Sequence, residues 1–287
     1  MAPIKPLTGT RVVTTALNVP GPMAVERLHA LGATVVKVEP PAGDPLRRAN
    51  PAWYAQLAAG AAIETLDLKT ASGRSRLDGL LADADLLLTA QRPAALARLG
   101  LSWDELRARY PSLCQIAIVG FPGAANEPGH DLTYLAAHGL VPPGSLPRTL
   151  FADVASSELA VSAALTVLLE RGRTGRGQYL EVPIAEAAAR LAAPRRAGLT
   201  LTGALLGGGF PGYNVYRARD GWIAVAALEP HFYERLCRQL GVLDPTYEAL
   251  SERFARESAE HWERFGREYD LPIGIVRDEN SSDETRT

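Results

Sequence analysis

Residues 9–39 read GTRVVTTALNVPGPMAVERLHALGATVVKVE, and this stretch decides the fold. A β-branched run from Gly9 to Leu17 is typical of a strand, and the turn Pro20–Pro22 ends it. The spacing of apolar residues predicts a helix over Met23–Leu31, and the apolar run Ala33–Glu39 predicts a second strand. A strand, a turn, a helix and a strand in this order predict the start of a parallel, Rossmann-like sheet.

The same alternation continues along the chain. Strands are predicted at Ile63–Leu68, Ala84–Thr89 and Cys114–Val119, with helices at Thr70–Leu81 and Trp103–Tyr110 between them. Strands that alternate with helices indicate an α/β fold, in which the ligand lies outside the carboxyl ends of the strands. We therefore predict a large, Rossmann-like, parallel-sheet domain whose turns after the strands hold the ligand.

A change of pattern predicts a second domain. The large domain is predicted over residues 1–195, and residues 196–212, which include the run Gly207–Gly209, are interpreted as a linker. Short strands and helices over residues 213–277 are typical of a smaller α+β domain. The polar residues 278–287 are predicted to be a disordered tail.

Composition and charge exclude several classes of protein. The 287 residues carry a net charge of −2 at pH 7, so no global basic field favours nucleic acid or an anionic membrane. Cys114 and Cys237 have neither a metal-ligand spacing nor a disulfide framework, and no metal site is expected. Residues 1–6 lack the apolar core of a signal peptide. We expect a cytoplasmic protein with a small-molecule substrate.

Three ionisable residues in or beside predicted turns are candidates for chemistry. His130 lies in a Pro-Gly-rich turn, Asp153 precedes a long helix predicted over Ser156–Arg171, and Glu229 begins a later helix. An imidazole titrates near neutrality, and a partly desolvated carboxyl can have its pKa raised toward that range. Each also has a structural interpretation, as a turn residue, a helix cap or a carboxylate that stabilises a helix dipole.

Short motifs spread along the chain occur in a recognisable order. They are Val35–Pro41 with Gly43–Arg47, Leu66–Lys69, Gln91–Pro93 with Leu99–Leu101, and Arg173–Gln178. Together they resemble the family III CoA-transferases of the CaiB/BaiF type, a superfamily that includes α-methylacyl-CoA racemases. The segments Gly129–Asp131 and Leu228–Tyr233 are similar to the racemase branch in particular.

The resemblance implies an acyl-CoA enzyme. In the racemase branch a histidine and an aspartate exchange the α-proton on opposite faces of the acyl-CoA, and a glutamate orients the histidine. The matching residues here are His130, Asp153 and Glu229. The resemblance therefore implies racemisation or epimerisation of a 2-methylacyl-CoA, with CoA as part of the substrate and no prosthetic group.

The resemblance also implies binding residues and an assembly. Arg47, Lys69 and Arg92 match the positions that contact CoA, where an arginine can bind a phosphate with two hydrogen bonds and a lysine supplies a compact charge. The family forms interlocked homodimers, so we expect a homodimer. Family members also continue beyond the small domain and return to the large one, and we expect this chain to lack the returning segment.

Two alternatives remain open at this point. A CoA-transferase would use the carboxylate of Asp153 to attack the thioester, and would move CoA to a carboxylic acid through an anhydride. A noncatalytic CoA-binding protein is the third hypothesis. For proton exchange, the enolate oxygen needs hydrogen-bond donors, and we expect the backbone amides at the start of the helix near Asp153 to supply them.

Overall fold

The computed structural model describes residues 4–123, 127–243 and 245–277, and the chain forms two compact units. The first unit ends at Ala192, and the remainder of the chain belongs to the second. Each unit has its own cluster of buried apolar residues. The predicted disordered tail, residues 278–287, lies outside the described residues.

The first unit contains a six-stranded sheet. Its strands are β1 (Arg11–Thr14), β2 (Thr34–Glu39), β3 (Ala62–Thr65), β4 (Leu86–Thr89), β5 (Cys114–Val119) and β6 (Tyr179–Pro183). The order is β3-β2-β1-β4-β5-β6, and all neighbouring pairs are parallel. β4 and β5 are buried along their whole length, which explains why their sequences are apolar except for Thr89 and Gln115. The predicted Rossmann-like α/β class is confirmed.

The strand order reverses at the centre of this sheet. β1 pairs with β2 on one side and with β4 on the other, where Val12 aligns with Leu86. In open parallel sheets the crevice outside the carboxyl ends at such a reversal is the usual ligand position. The turns that follow β1, β4 and β5 therefore position the candidate site.

Helices cover the sheet of the first unit. They are α1 (Pro20–Ala30), α2 (Pro45–Ala49), α3 (Pro51–Leu57), α4 (Ala71–Ala82), α5 (Pro93–Arg98), α6 (Trp103–Arg109), α7 (Asp131–Ala137), α8 (Phe151–Thr174) and α9 (Ile184–Leu191). The sequence did not predict α2, α3 and α5. Each begins with a proline. The first amide of a helix has no intrahelical hydrogen-bond partner, so a proline is tolerated there, but a proline in a sequence is equally typical of a turn.

The central helix of the first unit is α8, which packs against α1, α9 and β5. Ser156, Ala160 and Ala164 are fully buried, so small side chains allow this close packing. The helix starts at Phe151, ahead of the predicted start at Ser156, and Asp153 therefore lies in its first turn. By length and composition alone α8 could cross a membrane, but buried core helices pass the same test.

The second unit combines a small sheet with helices. Its antiparallel strands, in spatial order, are β7 (Tyr213–Arg217), β8 (Trp222–Ala226) and β9 (Ile273–Ile275). Its helices are α10 (Ala193–Arg196), α11 (Pro230–Leu240), α12 (Tyr247–Phe254) and α13 (Ala259–Glu268). The core of the unit is aromatic and includes Tyr216, Phe254 and Trp262.

The residues predicted as a linker contain a compact turn. Leu205–Gly209 forms a tight turn with non-helical backbone angles, in which a Cβ on Gly207 would lie 1.8 Å from the carbonyl oxygen of Leu201. Such a contact is impossible for any residue with a side chain, so close packing of the main chain requires this glycine.

Candidate active site

A cavity of about 180 Å³ lies at the carboxyl ends of β1, β4 and β5, within the first unit. The turns after these strands form its wall, with α7 and the first turn of α8. The polar residues of this wall include Asn18, Gln91, Arg92, His130, Tyr134 and Asp153. Three of the predicted site residues, Arg92, His130 and Asp153, therefore line one cavity.

Asp153 has an unusual titration. Burial disfavours its charged form and raises its pKa from the ordinary 3.8 to about 6, and the negative charge of Asp131 adds to the effect. A carboxyl group with such a pKa can both hold and release a proton near neutral pH. This property suits a general acid or base.

Asp131 holds the start of α8. It is 5% exposed, and its Oδ1 accepts hydrogen bonds from the backbone amides of Ala152, at 2.7 Å, and of Asp153, at 3.0 Å. Its carboxylate thus caps a helix that begins 20 residues further along the chain, at Phe151. The prediction that these helix-start amides serve the enolate oxygen is wrong for Ala152 and Asp153, because Asp131 already occupies both.

His130 lies immediately before α7, in an extended conformation. The hydroxyl of Thr133 accepts a hydrogen bond from the backbone N–H of His130, at 3.0 Å, and donates one to its carbonyl oxygen, at 2.8 Å. These two bonds fix the main chain of the histidine. Its exposed side chain lines the cavity that Asp153 also lines.

Gln91 connects two strand ends beneath the cavity. Its side-chain amide donates to the carbonyl oxygen of Thr15, and its Oε1 accepts from the hydroxyl of Thr15 at 2.9 Å. The next residue, Arg92, is exposed at the start of α5. The glutamine therefore holds the turn after β4, and with it Arg92, against the turn after β1.

A buried ion cluster lies at the carboxyl end of β2. We call it the lysine cluster, and it consists of Lys37, Glu39, Asp44 and Tyr54. The ammonium of Lys37 lies 2.9 Å from Oε1 of Glu39 and 2.6 Å from Oδ2 of Asp44. The hydroxyl of Tyr54 donates to Oε1 of Glu39 at 2.7 Å, and burial with this bond raises the pKa of Tyr54 to about 12.

The lysine cluster fixes the turn that carries Arg47. Oδ1 of Asp44 accepts from the amide of Leu46 at 2.9 Å, and also from the amide of Asn18 at 3.1 Å. The guanidinium of Arg47 lies over the ring of Tyr54, 5.6 Å from its centroid. Arg47 is therefore exposed on a rigid support.

The remaining predicted residues occupy different positions. Lys69 is exposed in the turn between β3 and α4, where its backbone amide donates to Oδ1 of Asp67. Arg47 and Lys69 thus follow β2 and β3, towards one end of the sheet edge, whereas the cavity lies at β1, β4 and β5. Glu229 belongs to the second unit, is exposed, and precedes α11. Its role in the site stays a prediction.

One family profile and several known proteins are similar to this chain. The sequence profile of CoA-transferase family III matches residues 7–283. The chain is 29% identical over 274 residues to the probable fatty acyl-CoA transferase Rv3272 of Mycobacterium tuberculosis, covering 83% of this chain and 70% of that protein. It is 32% identical over 255 residues to the human α-methylacyl-CoA racemase, covering 82% of this chain and 65% of the racemase.

A third relative is the succinyl-CoA–D-citramalate CoA-transferase of Chloroflexus aurantiacus, which is 29% identical over 83% of this chain and 66% of its own length. The chain thus spans about two thirds of the length of these curated relatives. Among solved structures, Rv3272 superposes with a TM-score of 0.83 and 27% identity, covering 97% of this chain and 85% of that one. A CaiB/BaiF protein from Brucella suis shares the fold, with a TM-score of 0.81, 24% identity, and coverage of 96% of this chain and 85% of that one.

Proposed function

This chain belongs to CoA-transferase family III, and we propose that it binds a 2-methylacyl-CoA and racemises it by exchange of the α-proton. His130 and Asp153 are the two bases in this proposal, one on each face of the acyl group. The observation that supports it most is the single cavity lined by both side chains.

The chemistry of α-proton removal fits these two groups. The C–H bond α to a thioester is a weak acid, and its electron pair moves into an enolate when a base takes the proton. An imidazole and a carboxyl with a pKa of about 6 can each accept and return a proton near neutral pH. Inversion requires that one base removes the proton and the other returns a proton to the opposite face.

The positions of the cations favour one orientation of CoA along the sheet edge. Arg47 and Lys69 follow β2 and β3, and His130 follows β5. β3 and β5 are four strand steps apart in the sheet, which corresponds to roughly 19 Å at about 4.8 Å per step. CoA is a long ligand with phosphates at one end and the thioester at the other. We propose that its phosphates lie near Arg47 and Lys69, and its thioester in the cavity beside Arg92.

Glu229 completes the proposal. In the racemase branch the matching glutamate fixes the tautomer of the catalytic imidazole and stabilises its protonated form. This assignment rests on the resemblance of Leu228–Tyr233 to the racemase branch, and on the exposed position of Glu229 at the start of α11.

A CoA-transferase is the second candidate, because two of the relatives are named as transferases. In that reaction the carboxylate of Asp153 attacks the thioester carbonyl, a C–O bond forms, and the C–S bond breaks as CoA leaves. The CoA thiolate then attacks the aspartyl carbonyl of this mixed anhydride and releases the first acid as a carboxylate, which leaves an aspartyl-CoA thioester. The second carboxylate attacks that thioester and displaces CoA to form a new anhydride, and the CoA thiolate attacks its acyl carbonyl, which gives the new acyl-CoA and frees Asp153. An ionised Asp153 is required, and its raised pKa makes this form less abundant below about pH 6.

The test is incorporation of deuterium from D₂O at the α-carbon of a 2-methylacyl-CoA. We expect the native chain to exchange this proton, and His130→Ala and Asp153→Ala each to lower the rate by about 100-fold or more. His138→Ala is a matched control, because His138 lies at the other end of the same helix, α7, and exchange should be unchanged.

A CoA-transferase would give a different result in the deuterium experiment. The native chain would exchange no α-proton, and isotope-labelled CoA would move from the acyl-CoA to a free acid. A covalent acyl-enzyme on Asp153 that persists in His130→Ala would establish that reaction and exclude racemisation.

A further inference from the structure

The enolate oxygen of the proposed reaction needs a hydrogen-bond donor that the sequence did not identify. The amides of Ala152 and Asp153 already donate to Asp131. A single amide N–H that is held by a buried carboxylate is a poor donor to a second oxygen. Another donor must therefore face the cavity.

The phenol of Tyr134 meets this requirement. Its side chain is 2% exposed and lines the cavity, and its ring contacts Phe121 edge to face, with centroids 5.2 Å apart. Within the described part of the chain its hydroxyl has no hydrogen-bond partner. A phenol hydroxyl that faces a cavity and has no described protein partner is free to donate a hydrogen bond to a ligand there.

Two glycines provide the space for this hydroxyl. A Cβ on Gly120 or on Gly129 would lie 2.4 Å from the hydroxyl oxygen of Tyr134. Gly120 directly follows β5, and Gly129 directly precedes His130, so the hydroxyl lies between the strand end and the turn of the predicted base. Asp153 and Arg92 line the same cavity as the phenol.

We propose that the hydroxyl of Tyr134 donates a hydrogen bond to the thioester oxygen of the bound acyl-CoA, and holds it as the enolate forms. The inference rests on the proposed function. The phenol keeps its own proton: the α-proton goes to His130 or Asp153, and the electron pair of the C–H bond moves onto the oxygen that Tyr134 holds.

The titration of Tyr134 agrees with a donor role. Burial raises the pKa of the phenol above its ordinary value of 10, and the charge of Asp153 adds to this. The hydroxyl therefore stays protonated throughout the neutral range. Loss of the hydroxyl should lower kcat by the same factor from pH 6 to pH 9, whereas loss of a base would change the shape of the profile.

The experiment compares Tyr134→Phe with Tyr110→Phe, a matched control whose hydroxyl contacts Asp78 at 3.1 Å and does not belong to the site. We expect Tyr134→Phe to lower the kcat of α-proton exchange by about 100-fold with little change in KM, and Tyr110→Phe to leave both unchanged. A Tyr134→Phe protein that folds and keeps the native kcat would overturn the proposal.

A second measurement separates this inference from the proposed function. Acetoacetyl-CoA forms a stable enolate that absorbs in the ultraviolet, and a donor at the oxygen raises the enolate fraction on binding without any turnover. We expect the native chain to raise this absorbance and Tyr134→Phe to lose most of the rise. An equal rise in both proteins, or none in the native chain, overturns the role of Tyr134 whether or not the native chain racemises its substrate.

A third variant covers the case in which Tyr134→Phe does not fold. Difluorotyrosine at position 134 keeps the shape and the hydroxyl but lowers the pKa of the phenol. Its kcat should fall as the pH rises through that lower pKa, because the ionised phenol no longer donates. A profile identical to that of the native chain would contradict the proposal.

Discussion

Two groups of buried or half-buried acidic residues follow strands of the same sheet, and their surroundings differ. In the lysine cluster, Glu39 and Asp44 share the ammonium of Lys37. Asp131 and Asp153, which we call the aspartate pair, have no ion-pair partner among the residues described in the structure. Desolvation disfavours a charge in both places, but only the lysine cluster compensates it with an opposite charge.

The difference separates a structural from a functional use of buried charge. In the lysine cluster, the ammonium of Lys37 and the hydrogen bonds from Tyr54, Leu46 and Asn18 hold the two carboxylates and keep a turn rigid. In the aspartate pair, Asp131 is satisfied by two backbone amides, while Asp153 keeps a pKa of about 6 and lines the cavity. Perturbed pKa values of this kind are concentrated at functional sites.

Removal of the cation of the lysine cluster should have the largest effect on stability. Lys37→Met leaves Glu39 and Asp44 buried without a counter-ion. We expect the free energy of unfolding to fall by about 3–5 kcal/mol, measured by urea denaturation. The triple variant that adds Glu39→Gln and Asp44→Asn strands no charge, and should recover most of this loss. A triple variant as unstable as Lys37→Met would show that packing, and not charge balance, holds the turn.

Neutralisation of Asp153 should raise the free energy of unfolding, whereas loss of the Lys37 charge lowers it. Its folded pKa of about 6 lies above the ordinary 3.8, so between these values the folded chain holds a proton that the unfolded chain has released. Native stability therefore falls as the pH rises through this window, and Asp153→Asn lacks that loss. At pH 8 we expect the variant to be inactive and more stable than the native chain by about 2 kcal/mol.

The control for this prediction is the same pair of proteins at pH 4 or below, where the native carboxyl is protonated when folded. There the gain in stability should largely disappear in urea denaturation. A gain of equal size at both pH values would mean that the raised pKa of Asp153 is not its source.

Substitution of Asp131 should have the smallest effect, which is a change in the pKa of Asp153. Asp131→Asn keeps an oxygen that accepts from the amides of Ala152 and Asp153 but removes the negative charge. The pKa of Asp153 should then fall, by less than burial raises it, because burial is the larger cause. The carboxyl carbon of Asp153, followed by NMR during a pH titration, would report the change. An unchanged or higher pKa would contradict the assigned role of the Asp131 charge.

The periodic part of the fold could be predicted from sequence. Apolar runs in the sequence predicted β1 to β5 of the parallel sheet, and the signal is strongest for β4 and β5, because strands buried in a parallel sheet are mostly apolar. The start of α8 was not predicted. Leu150 at its N-cap position is not a capping residue, and the cap comes from Asp131, which no local sequence window connects to this helix.

The candidate site was predictable only in its separate parts. Motif resemblance identified His130, Asp153 and Arg92, and the structure adds that they line one cavity. Tyr134 was not identified as a site residue, because an aromatic residue in a short helix is common. Asp131 was not identified because the amides that it binds, those of Ala152 and Asp153, are distant in sequence. The contribution of Glu229, the homodimer and the cytoplasmic location stay predictions.

The carboxylate of Asp44 contacts both the turn that carries Arg47 and the wall of the cavity. Asp44 fixes the turn of Arg47 through Lys37 and Leu46, and it also accepts from the amide of Asn18, a residue of the cavity wall. If the nucleotide part of CoA lies over Arg47, affinity gained far from the reacting carbon can act on the wall beside it. The nucleotide would then be more than an anchor, and an acyl-pantetheine that lacks it would turn over slowly even at saturation.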